Sequence, residues 1–189
     1  WQIFAPTPEH MARSNPQIAL RPQDLVVLLR LSLEAGDAPS YAALSAELSL
    51  TASEIHAAVD RTVTAQLARK DARGKPKVVL EALRLFVQHG ARYCFPAIRG
   101  ELTRGMPTLY AAPPLKDKIV QPNEPVPVWP SKSGTVRGMA FTPLYPTVPE
   151  AAQRNPALYA LLVLVDAIRG GSPRERALAI QLLDAQWAS

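Results

Sequence analysis

The chain has 189 residues, 48% apolar and 20% charged, which is enough to bury one sizeable core and too hydrophobic for an intrinsically disordered polypeptide. Its net charge of +5 permits a polyanionic partner without requiring one. The single cysteine, Cys94, excludes an internal disulfide, no Cys and His group has zinc spacing, and the apolar runs 25–29 and 160–165 fall far short of the roughly 20 residues that span a bilayer. The expectation is a cytoplasmic protein with no membrane partner, no metal and no cofactor.

The charge is unevenly placed. Residues 1–60 carry three basic and seven acidic side chains, residues 61–77 six and one, and residues 78–189 twelve and eight. The pair His10-Met11 in the first segment suggests a vector junction before a native start, the alternative being native sequence trimmed at its end. Residues 1–19 are accordingly read as an N-terminal extension.

From residue 20 the pattern predicts three helices. Pro22 suits a first helical turn, and Leu25, Leu28, Leu29 and Leu33 recur at helical spacing over 22–35, with Gly36 as the stop. Ser40 is an N-cap for a second helix of about nine residues carrying Tyr41, Leu44 and Leu48 on one side. Thr51-Ala52-Ser53-Glu54 is a capping box, and Ile55, Val59, Val63 and Leu67 line one face of the third helix behind it. Residues 68–76 then form a charged hairpin with Gly74 and Pro76, and a fourth helix runs over 78–89 to Gly90.

Residues 93–149 differ, because eleven of the chain's nineteen prolines fall in 94–149. Residues 135–141 read as a strand, and short edge pieces are expected around Tyr110 and Val128. Trp129, Phe141, Leu144, Tyr145 and Val148 are too apolar for a free linker. Arg99-Gly100, Arg104-Gly105-Met106 and Arg137-Gly138-Met139 suggest turns at which arginines are solvated or meet an anion, making Arg99, Arg104 and Arg137 candidates for a partner or effector surface. After Pro149 a helical hairpin is expected over 150–189, with Leu158, Leu161, Leu162, Val165 and Ile168 on its first helix and Leu178, Leu182 and Leu183 on its second.

Helix, turn, capped helix and basic hairpin follow in the order of a winged helix-turn-helix domain, expected to occupy 20–92. Residues 22–77 resemble the winged-helix regulators of bacteria and archaea, the broad group that includes the MarR-type repressors. The resemblance lies in the pattern over roughly a third of the chain and implies an α+β fold, mostly α, that binds double-stranded DNA. It implies base reading by Ser53, His56, Ala57, Asp60 and Arg61 on the third helix, with Arg61 suited to guanine and Asp60 able to accept from cytosine or to pair with a neighbouring cation. Ser40, Tyr41 and Thr51 at helix starts, and Arg69, Lys70, Arg73, Lys75 and Lys77 on the hairpin, are the expected phosphate contacts.

The implied protein is a homodimeric transcriptional regulator without enzymatic activity, its dimer seam on the C-terminal helices or helix one; the proline content and aromatics of 94–149 add a protein partner for that segment, with an antitoxin-like autorepressor as a special case. The rival reading is a protein-interaction subunit whose winged helix docks another chain and whose basic hairpin is only solvated. Cys94 beside His89 is set between a nucleophile with its base and a buried structural cysteine, the latter being the commoner role.

Overall fold

A computed structural model of the chain describes residues 17–120 and 122–188; the expected vector junction and start at Met11 lie outside them. The architecture is α+β and mostly helical. Helices α1 (Pro22–Leu31), α2 (Tyr41–Leu48) and α3 (Ala52–Thr64) precede an antiparallel hairpin of β1 (Ala68–Lys70) and β2 (Pro76–Val78). Helix α1 stops four residues before the expected end, where the Ser32 hydroxyl donates to the Leu29 carbonyl at 2.8 Å. The other local signals hold: Ser40 Oγ caps Ala43 N, and Thr51 and Glu54 close the capping box of α3.

Helix α4 (Leu80–Leu85) passes through a π turn (Phe86–Gly90) into α5 (Ala91–Cys94), so Gly90 is crossed rather than ending the helix. The proline-rich stretch then supplies β3 (Arg99–Pro107), β4 (Pro127–Pro130) and β5 (Val136–Phe141), three strands that close on one another. Strand β3 is antiparallel to both neighbours, while β4 and β5 run parallel. The arginine-glycine segments expected as turns are therefore strand. A Cβ on Gly105 would lie 2.0 Å from the Trp129 carbonyl oxygen and one on Gly138 2.0 Å from that of Val126. Glycine is needed where the backbones nearly touch, and the neighbouring Arg104 and Arg137 project outward. Tyr110, expected near an edge strand, sits in a 3-10 turn.

Helices α6 (Val148–Arg154), α7 (Pro156–Gly170) and α8 (Pro173–Trp187) complete the chain, with α7 packed along α8 as the expected hairpin. One continuous core joins α1, α3, α7 and the small sheet. Residues Leu25, Val26, Val27, Leu28 and Leu29 are all buried, because α1 is covered by α3 on one side and α7 on another. The apolar surface of helix one is thus used within the chain, which removes it as a dimer seam.

A buried polar network fastens α7 to the sheet. Asp166 accepts from Trp129 Nε1 at 2.6 Å and from the Thr108 hydroxyl at 3.0 Å, and it pairs with Arg169 at 3.0 Å. Arg169 also donates to the carbonyls of Phe95 and Thr142. Burial raises the Asp166 carboxyl above the usual range, opposed by the Arg169 charge. No helix among the described residues is long and apolar enough to cross a membrane.

Candidate nucleic-acid interface

The buried side of α3 consists of Ile55, Ala58, Val59 and Thr62, with Val63 partly covered. A helix with that buried stripe turns Ser53, His56 and Asp60 to solvent, with Ala57 half-buried among them. These four expected base-reading residues therefore share one surface. The fifth does not. Arg61 lies between the outer and buried stripes and reaches back to α1, where Nε donates to Asp24 Oδ2 at 2.8 Å and Nη2 to Oδ1 at 2.6 Å. The side chains are 14% and 1% exposed, so this two-pronged pair braces α3 against the start of α1. Base reading by Arg61 is corrected accordingly.

Thr51 needs the same correction. Its hydroxyl accepts from Glu54 N at 3.2 Å and donates to Glu54 Oε2 at 2.8 Å, so it has no hydrogen left for a phosphate. The Thr51 backbone N–H, then its hydroxyl and the Tyr145 hydroxyl, hold the Glu54 carboxyl below its ordinary range. The α3 N-terminus therefore already carries an anion.

The remaining predicted phosphate residues fall into two sets. Ser40, Tyr41, Lys70 and Lys75, together with the base-reading candidate His56, line a cleft of about 360 Å³ between α2, α3 and the hairpin. The Tyr41 and His56 rings meet edge to face at 5.6 Å. Asp60 bridges this set: Oδ1 accepts from Lys70 Nζ at 3.0 Å, and Oδ2 lies 3.0 Å from His56 Nδ1. The Lys70 contact holds the Asp60 carboxyl low and pushes the Lys70 ammonium up. At the hairpin tip, Arg73 and Lys75 both reach Asp37, an exposed carboxylate of the α1–α2 loop, at 3.4 and 3.1 Å. Such exposed ion pairs are weak and screened by salt, so a phosphate can displace the carboxylate.

Arg69 and Lys77 form the second set. They stand directly opposite each other across the hairpin, both exposed, and neither has an ion-pair partner among the described residues. Like charges opposed across a ladder repel. Their outward direction follows from the alternation that turns Ala68 and Pro76 inward.

Sequence reasoning missed the residues that hold this unit in place. Arg154 of α6 donates to the carbonyls of Ala46 and Glu47, each at 3.1 Å, and to Ser49 Oγ. The Ser49 hydroxyl donates to Glu150, Asn155 donates to Glu47, and Tyr145 OH donates to Glu54 Oε1 at 3.1 Å. These bonds span about a hundred positions of sequence, so no local pattern announces them. Of the three predicted partner-surface arginines, Arg104 and Arg137 meet across β3 and β5, whereas Arg99 donates to the Gly170 carbonyl and lies over Phe141. Cys94, expected buried, is exposed. Among the described residues, no group of three His, Cys, Asp or Glu side chains is placed to hold a metal. Compared with known proteins, the chain matches no family model, no curated protein and no solved structure.

Proposed function

We propose that this protein is a sequence-specific DNA-binding regulator of transcription whose first three helices and hairpin work as a winged helix-turn-helix. The carrying observation is the pairing of a solvent-facing α3 surface of small and polar side chains with Arg69 and Lys77 on the adjacent hairpin, which have no ion-pair partner among the described residues. Small residues let a helix approach base edges, while cations with no carboxylate of their own favour phosphate. Ser53, His56 and Ala57 read bases, and Asp60 controls access to them. Arg69 and Lys77 hold the backbone, joined by Lys70, Arg73 and Lys75 once phosphate replaces Asp60 and Asp37. The protein acts in the cytoplasm as a homodimeric repressor of its own promoter, with no chemical step.

Fluorescence-anisotropy titration against its own upstream region and a random duplex, at two salt concentrations, tests this reading. Tight, salt-sensitive binding that favours the upstream DNA is expected, and replacing Arg69 and Lys77 with glutamine lowers affinity for both duplexes and flattens the salt dependence. Absence of binding at micromolar protein overturns it.

A further inference from the structure

The three-stranded sheet repeats the electrostatic feature of the hairpin. Arg104 and Arg137 are paired in register across β3 and β5, both are exposed, and neither has an ion-pair or hydrogen-bond partner for its guanidinium among the described residues. Directly opposed residues of an antiparallel pair have Cβ atoms about 5 Å apart, so two like-charged side chains leave the sheet from neighbouring points and both can reach one anion. An oxyanion seated between them offsets their like charge and matches the planar donor fork of each arginine. Lys132, also exposed, belongs to the β4–β5 connection that begins where Ser131 N donates to the Arg104 carbonyl. By contrast, Arg30 pairs with Glu34 and Glu47, Arg61 with Asp24, and Arg84 with Glu81.

The position of the sheet suggests the source of the anion. Ser133, in the same connection, accepts from Gln153 of α6 at 2.9 Å. The next residue, Arg154, grips the turn between α2 and α3, and Tyr145, four residues beyond β5, reaches Glu54 in the first turn of α3. The sheet is therefore tethered beside the entrance of α3, while α7 packs behind α1. B-DNA presents a phosphate about every 1.7 Å of axis, so a duplex that runs from α3 toward the tethered sheet would bring a phosphate to this pair. We infer that Arg104 and Arg137 clamp a backbone phosphate of the bound duplex, a second contact outside the helix-turn-helix unit. The inference rests on the DNA-binding reading above and extends the footprint by a contact that carries no base information.

The test uses the full-length chain and two duplexes with the same central sequence, one of about one helical turn and one of about two and a half. With the long duplex, R104Q/R137Q is expected to bind about threefold to tenfold more weakly at low salt, with the slope of log K against log salt reduced by about one. With the short duplex it matches wild type. R104K/R137K, which keeps the charge, retains the wild-type slope. R69Q/K77Q weakens both duplexes. If R104Q/R137Q leaves the long duplex unaffected while R69Q/K77Q weakens it, the clamp is overturned and the DNA reading stands. Equal losses on both duplexes also overturn the clamp, since the contact would not lie at the flank. If wild type binds neither duplex, the DNA reading itself has failed.

Discussion

Arg61 separates a structural brace from a base contact, and its replacement gives opposite results under the two roles. The guanidinium makes two charged hydrogen bonds, 2.8 and 2.6 Å, to a carboxylate that is only 1% exposed. A charged hydrogen bond contributes about 1.5–3 kcal/mol, and leaving a buried charged acceptor unmatched costs at least as much. Asp24 keeps one bond, from Arg21 N at 2.8 Å, and Arg61 itself reaches solvent, so the full penalty of a broken buried pair does not apply. Arg61→Ala should therefore lose about 2–3 kcal/mol, or roughly 5–10 °C in melting temperature for a chain of this size. Urea titration followed by tryptophan fluorescence measures the loss. A double-mutant cycle with Asp24→Asn should return a coupling of about 1.5 kcal/mol or more. Base preference of the folded variant on a panel of operator substitutions should be unchanged. A loss below about 0.5 kcal/mol, the range of ordinary surface substitutions, or a relaxed preference at a single base pair, would refute the brace.

Three further outcomes follow from the same contacts. Asp60→Asn removes the carboxylate that neutralises Lys70, so anisotropy should show DNA affinity rising about threefold to tenfold at low salt; a loss confined to one operator position would instead make Asp60 a base reader. Asp166→Ala strands Arg169, Trp129 Nε1 and Thr108, and thermal unfolding should show a loss of about 3–5 kcal/mol, of which Asp166→Leu/Arg169→Met recovers the part due to the uncompensated Arg169 charge; no recovery would mean that the charge is not the cost. The capping box is sensitive to acid. Because the folded Glu54 carboxyl is held below its unfolded value, its contribution is present above the ordinary carboxylate range and lost as pH falls through the folded value. The stability difference between wild type and Glu54→Gln should shrink below about pH 4, and a difference that persists undiminished there would contradict this linkage.

The local parts of this fold are written in local signals. Thr51 and Glu54 sit three residues apart and satisfy each other's backbone donors wherever the helix goes, so the start of α3 was readable without tertiary information. The hairpin was readable for a similar reason, since Asp71 accepts from both Arg73 N and Lys75 N at 2.8 Å within a single turn. Strand β3 was hidden because Gly100 and Gly105 lower strand propensity, and the use of Gly105 appears only when the Trp129 backbone packs against it. Arg61 was misplaced because helical angle alone puts it near the rim, and a long side chain can turn either way; Asp24, 37 positions earlier, decides. Asp166 and Arg169 left a faint trace, two opposite charges three residues apart inside an apolar run, which was the available sign of a buried pair.

Net charge by segment pointed to residues 61–77 and away from residues 1–60, yet the contacts divide the molecule differently. Most of the described acids of the first sixty residues are paired within the fold: Asp24 holds Arg61, Glu47 holds Arg30 and Asn155, Glu34 holds Arg30, Asp60 holds Lys70, and Asp37 lies on Arg73 and Lys75, while Glu54 keeps its charge at the start of α3. Some of the basic residues that made 61–77 conspicuous are thereby neutralised within the fold, Arg61 most completely. Arg69 and Lys77 on one sheet, and Arg104 and Arg137 on the other, remain without a counter-charge among the described residues, each pair in cross-strand register. A polyanion gains most where no internal carboxylate must first be displaced, and a registered like-charge pair adds its relieved repulsion to that gain. If the proposed DNA reading and the phosphate clamp both hold, the spacing between the two pairs, rather than the total charge, sets how long a duplex must be to bind fully.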